Sequence, residues 1–212
     1  MTTFTYTMDE HLSIARALQV GTRPRPSARE IWESAHVAPI KRRLKAHKRR
    51  EQGERCCYCQ RPIGGEYNMV LDIEHVLPKS QFNHCIFDLP NLAVACAKCN
   101  RKVKRARLDF IDPALLRIPR MHKSLLFNPD HYRIAHPNLT DAYKHLSINV
   151  HLVGRSTLFH YDLITPMGKY MYDFFELHEF EAESISHAQG IPAPVNEDLH
   201  EQIKAIEREI YG

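Results

Sequence analysis

The sequence predicts an α+β fold: a small ββα core pinned by four cysteines and surrounded by helices. Three observations carry this. Two Cys-x2-Cys pairs, Cys56/Cys59 and Cys96/Cys99, stand 36 residues apart. Two short apolar runs, Tyr67 to His75 and Leu92 to Cys96, lead up to the second pair, and their length and turn-rich borders suit strands. Basic, helix-like segments precede the first pair and follow the second.

A chain of 212 residues holds one generous domain, or a small core with an added lobe. At that length disulfides are not needed for stability. The cysteine spacing instead suits one tetrahedral zinc site in a reducing compartment, which points to the cytoplasm. Cys57 and Cys85 are left over as ordinary reduced thiols, with Cys57 a competitor of Cys56 for the metal. No apolar run approaches the roughly 18 residues of a membrane span. Met1 to Glu10 is polar and lacks the pattern of a secretory signal.

Net charge is only +4, but it is unevenly placed. Residues 41–55 hold eight Lys or Arg against two Glu, and residues 101–107 hold five basic residues and no acid. Residues 173–212 reverse this, with ten acids against two bases. Basic blocks on both sides of a cysteine motif favour a polyphosphate partner.

In chain order, residues 1–20 carry a weak helical pattern that Gly21 to Pro26 breaks. Ser27 and Glu30 form a capping box for a helix from Ala28, which Pro39 is expected to interrupt. A basic helix follows from Ile40 to Gln52, anchored by Leu44 and stopped by Gly53. Cys56 to Cys59 is a tight knuckle. Tyr67 to His75 and Leu92 to Cys96 are strands, joined by a loop of about a dozen residues, a length that suggests function. Cys96 to Arg107 turns into a helix with Asn100 in its first turn. Beyond it, Asp112-Pro113, Ile118-Pro119 and Asn128-Pro129 mark turns, and Leu125 to Phe127 return to the core. Asp141 to Leu146 reads as a short helix, Ile148 to Val153 as β, and Pro166 to Phe180 as an amphipathic helix facing a core. After Pro192 and Pro194, Asn196 to Tyr211 reads as an acidic helix. The expected divisions are 1–54 (basic, helical), 55–108 (ββα core), 109–190 (helical and irregular lobe) and 191–212 (acidic helix).

Hydrolysing a phosphodiester requires an activated water, neutralisation of developing charge and a stabilised leaving oxygen. An imidazole suits the first and a hard divalent ion on oxygen ligands the others. Glu74 and His75 are strand neighbours, so they point in different directions. One can hold metal while the other faces water, and Asn100 adds a neutral carbonyl oxygen.

These residues carry a family resemblance. Cys56 to Lys104 resembles the zinc-stabilised HNH endonucleases, in the variant whose third letter is Asn. It has paired Cys-x2-Cys, an acidic-His pair with Pro78 beyond it, Asn91-Leu92, and Cys96-x2-Cys99-Asn100. The resemblance implies a ββα-metal core, with His75 as general base and Asn91 holding the loop that orients it. It implies Mg2+ or Mn2+ on Glu74 and Asn100, and structural zinc on Cys56, Cys59, Cys96 and Cys99. Lys79, Arg101, Lys102, Lys104 and Arg105 would contact the phosphates of DNA, expected to be double-stranded. The family more often has Asp where Glu74 stands, which leaves Asp72 as an alternative ligand. The run Ile73 to Ser80 is also similar to HNH subunits that accompany ATPases in Septu-type and retron-linked anti-phage systems, which implies an ATPase partner. The competing reading is a non-catalytic zinc module that binds nucleic acid or scaffolds a complex.

Overall fold

The computed structural model describes residues 3–19, 24–117, 122–153 and 156–181. Ile118-Pro119, the prolines at 192 and 194 and the acidic helix expected over 196–211 lie outside these residues. The chain divides into two compact units, Met1–Asp141 and Ala142–Gly212, so residues 109–141 fall in the first.

The first unit opens with three helices, α1 (Met8–Ala17), α2 (Ala28–Glu33) and α3 (Ala38–Glu51). Capping boxes start the first two: Thr7 with Glu10, and Ser27 with Glu30. Pro39 does not interrupt a helix, as its position in the sequence suggests, but sits in the first turn of α3. Its missing N–H is one that no helix start can use. Gly53, just past the end of α3, takes a φ of +61°, a left-handed turn that glycine adopts without strain.

Strands β1 (Leu71–His75) and β2 (Leu92–Cys96) pair antiparallel, with Leu71 opposite Cys96 and His75 opposite Leu92. β1 is shorter than the apolar run suggests, because Asn68–Val70 forms a 3-10 turn. The expected helix after Cys96 is a π-helix over Lys98–Lys104, closed by the Arg105 N–H donating to the Asn100 carbonyl at 2.8 Å. Short helices α4 (Pro113–Leu116) and α5 (Lys123–Leu126) follow. Two buried clusters place the helices on this core. Ala17, Ile31 and Val37 pack with Ile86 of the inter-strand loop, and Phe4 and Leu44 pack with Leu92 of β2. The Gln52 side chain then ties the end of α3 to the backbone of Val94, accepting from its N–H at 2.7 Å and donating to its carbonyl at 2.9 Å.

The second unit is a hairpin, β3 (Leu146–Val153) with β4 (Ser156–Leu163), followed by α6 (Pro166–Phe174) and α7 (His178–Glu181). Only a 3-10 turn at Ala142–Lys144 stands where a short helix was expected. The helix expected from Pro166 to Phe180 breaks after Phe174, where Glu176 takes a φ of +52°. Gly168 is required at its place, since a Cβ there would lie 1.8 Å from the His145 carbonyl oxygen. No described helix is long and apolar enough to cross a membrane.

Candidate active site and metal cluster

Cys56, Cys59, Cys96 and Cys99 are fully or almost fully buried, and their sulfurs all lie within 4.8 Å of one another. The Sγ atoms of Cys59 and Cys96 are 4.0 Å apart. A tetrahedral ion with metal–sulfur bonds of about 2.3 Å sets its sulfurs about 3.8 Å apart, so the four fit one such ion. The Cys96 N–H donates to Cys56 Sγ at 3.3 Å, as suits a thiolate. Cys57, adjacent to Cys56, is outside the cluster; its N–H donates to the Val94 carbonyl instead.

The knuckle reaches beyond the metal. Tyr58 is wholly buried, and its hydroxyl donates to Glu74 Oε1 at 3.0 Å. The Lys104 ammonium pairs with the same oxygen at 2.5 Å and also donates to the His75 carbonyl at 3.0 Å. Glu74 Oε2 has neither partner, and that oxygen is the one left to a ligand. Burial pushes the Glu74 carboxyl above the usual carboxylate range, while Lys104 and Tyr58 pull it back. Lys104 corrects an expectation. It cannot contact phosphate from the surface, because it is 0% exposed and its charge is spent on Glu74.

The π-helix explains the pairing. Asp72 and Glu74 lie on one face of β1, about 6.7 Å apart at strand rise. Asn100 and Lys104 stand about one turn apart and meet them in register. Lys104 meets Glu74, and Asn100 Nδ2 donates to Asp72 Oδ2 at 3.0 Å. Arg101 grips Asp72 through both carboxylate oxygens, at 2.8 and 2.6 Å. Asp72 is thus committed to a guanidinium and an amide, and Glu74 keeps an open oxygen.

His75 is 5% exposed, and its Nε2 lies 3.1 Å from the Ile86 carbonyl. A carbonyl only accepts, so Nε2 carries the proton and Nδ1 keeps its lone pair. Burial, and next the charge of Lys79, push the imidazole down to about 3, so it is neutral near pH 7. The Trp32 ring meets it edge-on, with centroids 4.4 Å apart. Asn91, wholly buried, staples both ends of the loop carrying Ile86. Its Oδ1 accepts from Leu77 N at 2.7 Å, and its Nδ2 donates to the Leu77 and Cys85 carbonyls at 3.2 and 3.0 Å.

Glu74, His75 and Asn100 line one cavity of about 460 Å3, with Lys79, Arg101 and Arg105 on its walls. Arg105 Nε donates to the Arg101 carbonyl at 3.1 Å. Lys102 is exposed and lines no described cavity. Sequence reasoning missed Tyr58 and Trp32. A tyrosine inside a metal knuckle was the available signal, since a buried hydroxyl requires an acceptor.

Residues 56–106 match the family model HNH endonuclease. The HNH segment contains the cysteine cluster, Glu74, His75, Asn91, Asn100 and Lys104, and it points to nuclease chemistry on nucleic acid. Helices α1 to α3 and everything after residue 106 lie outside it. No curated protein and no solved structure matches the chain.

Proposed function

We propose that the chain is a metal-dependent endonuclease that hydrolyses phosphodiester bonds of double-stranded DNA. One observation carries the reading: Glu74, His75 and Asn100 line a single cavity, with His75 fixed in the tautomer that leaves Nδ1 basic. Nδ1 removes a proton from the attacking water, and the Ile86 carbonyl holds the imidazolium that forms. Asn91 keeps that carbonyl in place. A phosphodiester in the cavity sets negative charge against Lys79, which relieves one cause of the low histidine pKa and strengthens the base as substrate arrives.

The donor set fits a hard divalent ion. Glu74 offers Oε2 and Asn100 its carbonyl oxygen, and all-oxygen donors suit Mg2+ or Mn2+. When bound, such an ion supplies charge neutralisation at the phosphate and the leaving oxygen. Lys104 occupies Oε1, limiting Glu74 to one metal bond. The four thiols suit structural zinc, with no part in the chemistry. Work beside an ATPase partner in cytoplasmic anti-phage defence belongs to the same proposal. It rests on the likeness of Ile73 to Ser80, and co-purification of an ATPase encoded beside the gene tests it.

The test of the chemistry is plasmid nicking with Mg2+ or Mn2+, wild type beside His75→Ala. Nicking by the wild type that vanishes in a folded, metal-loaded variant is expected. Equal nicking by both would remove His75 as the base, and none by either would favour a non-catalytic module.

A further inference from the structure

Helix α3 lies outside the HNH segment, yet it forms a wall beside the candidate site. Ala38, Lys41, Arg42 and Lys45 recur at helical spacing and line a cleft of about 720 Å3. Ile40, Leu44 and Lys48, on the other face, are buried. Lys79, Asn100 and Arg101 line this cleft and the catalytic cavity alike. The two spaces therefore adjoin around Asn100.

The charges of α3 are sorted. Arg43, Lys48 and Arg49 do not line the cleft, and each pairs with a carboxylate: Glu10, Glu51 and Glu54 respectively. Exposed Arg50, at the end of the helix and outside the cleft, is the exception, with no carboxylate partner among the described residues. The cations of α3 that do line it have no such partner among the described residues. Lys41 donates to the Trp32 carbonyl at 2.8 Å, and Lys45 to the carbonyls of Asn68 and Leu71. Arg42 is exposed. The cleft thus gathers five cations, Lys41, Arg42, Lys45, Lys79 and Arg101, against one carboxylate, Asp72, which Arg101 already holds. Carbonyl anchoring fixes where the lysine ammonium groups point without cancelling their charge. A concave wall of positioned, uncancelled cations suits a ligand with several regularly spaced anions.

We propose that the cleft between α3 and the π-helix is a phosphate track. It would hold the stretch of polynucleotide strand next to the bond lying in the catalytic cavity. The identity of the anion rests on the nuclease reading above; the existence of the track rests on the sorted charges.

Arg42 makes the clean test, because it is exposed and its side chain contributes no hydrogen bond to the fold. Full-length, zinc-loaded protein is titrated with a short fluorescein-labelled DNA duplex over a range of salt concentrations, without added divalent metal. Removing one cation that neutralises a phosphate should lower the slope of log affinity against log salt by about 0.9. Arg42→Gln is expected to lower it by about that amount, and Lys41→Gln/Arg42→Gln by about twice as much. Lys169→Gln, at an exposed i,i+4 pair of the second unit, should leave it unchanged. An unchanged slope for Arg42→Gln, or an equal fall for Lys169→Gln, overturns the track. Plasmid nicking by the wild type separates the two ideas. Nicking with an unchanged slope sinks the track and leaves the nuclease standing, whereas a reduced slope without nicking does the reverse.

Discussion

Replacing Lys104 by Met isolates the pairing that the sequence least suggested. Methionine keeps the length of the side chain and removes its charge. Lys104 and Glu74 have side-chain exposures of 0% and 3%, so water cannot take over the role of either partner. Removing one member of such a pair costs about 3–5 kcal/mol, because the other is left charged and buried. Glu74→Gln alone strands the ammonium in the same way. In the double variant the glutamine carbonyl still accepts from Tyr58, and no charge is buried. Its main loss is the Lys104 bond to the His75 carbonyl, worth about 1 kcal/mol. The double variant should therefore be less damaged than the sum of the singles, by about 2 kcal/mol or more. Urea unfolding of the metal-loaded protein measures this. Trp32, the only tryptophan, packs on His75 and reports the site by its fluorescence. A cost below about 1 kcal/mol for Lys104→Met, or simple additivity in the double variant, would show that the pair is solvated and the reasoning wrong.

Three further outcomes follow from the geometry. Cys59→Ser should abolish binding of one zinc per chain, while Cys57→Ser retains it, as metal analysis of the purified proteins would show; loss of zinc in the Cys57 variant contradicts the cluster. Asn91→Ala leaves the Leu77 N–H and the Leu77 carbonyl unpaired in the core, at about 1–3 kcal/mol each, while the Cys85 carbonyl keeps its bond from the Asp88 N–H; the substitution should lower both the melting temperature and the nicking rate. Burial pushes both His75 and His136 down to about 3, below the unfolded value of 6.5. The unfolded chain then binds more protons between these values, so the stability they provide is complete above pH 6.5 and lost as pH falls toward 3. At about 1.4 kcal/mol per unit that is up to about 4–5 kcal/mol for each, and acid titration of the urea midpoint would show about half this loss if one ring were solvent-exposed and none from these groups if both were.

Much of the fold was legible because its signals are local. The cysteine spacing, the two strands and the capping box at Ser27 depend on neighbours a few residues apart; the equally local box at Thr7 and Glu10 went unread. So does the adjacency of Glu74 and His75. What stayed hidden depends on rotation about a helix and on distant chain. The basic run 101–107 looks uniform as text, yet Arg101 lies on the surface and Lys104 is its most buried cation. Only the wide winding of the π-helix decides that. The Ile86 carbonyl has no sequence signature, since every residue carries one. It matters because Ile86 is packed against Ala17, Ile31 and Val37. β4 was overlooked although Phe159, Tyr161 and Leu163 alternate with polar residues, the pattern of a half-buried strand.

The candidate catalytic groups are adjacent in sequence but held by separate parts of the first unit. Glu74 takes its direction from Tyr58 in the metal knuckle and from Lys104 in the π-helix. His75 takes its direction from Ile86, which the helical cluster of α1 and α2 fixes, and from the loop that Asn91 staples. Two residues on one strand face opposite ways, so one scaffold could not orient both. The metal knuckle supports one face of β1 and the helices the other. On this account the four cysteines do more than hold the fold together. Through Tyr58 the knuckle holds Glu74 Oε1, which leaves Oε2 as the oxygen offered to the proposed metal.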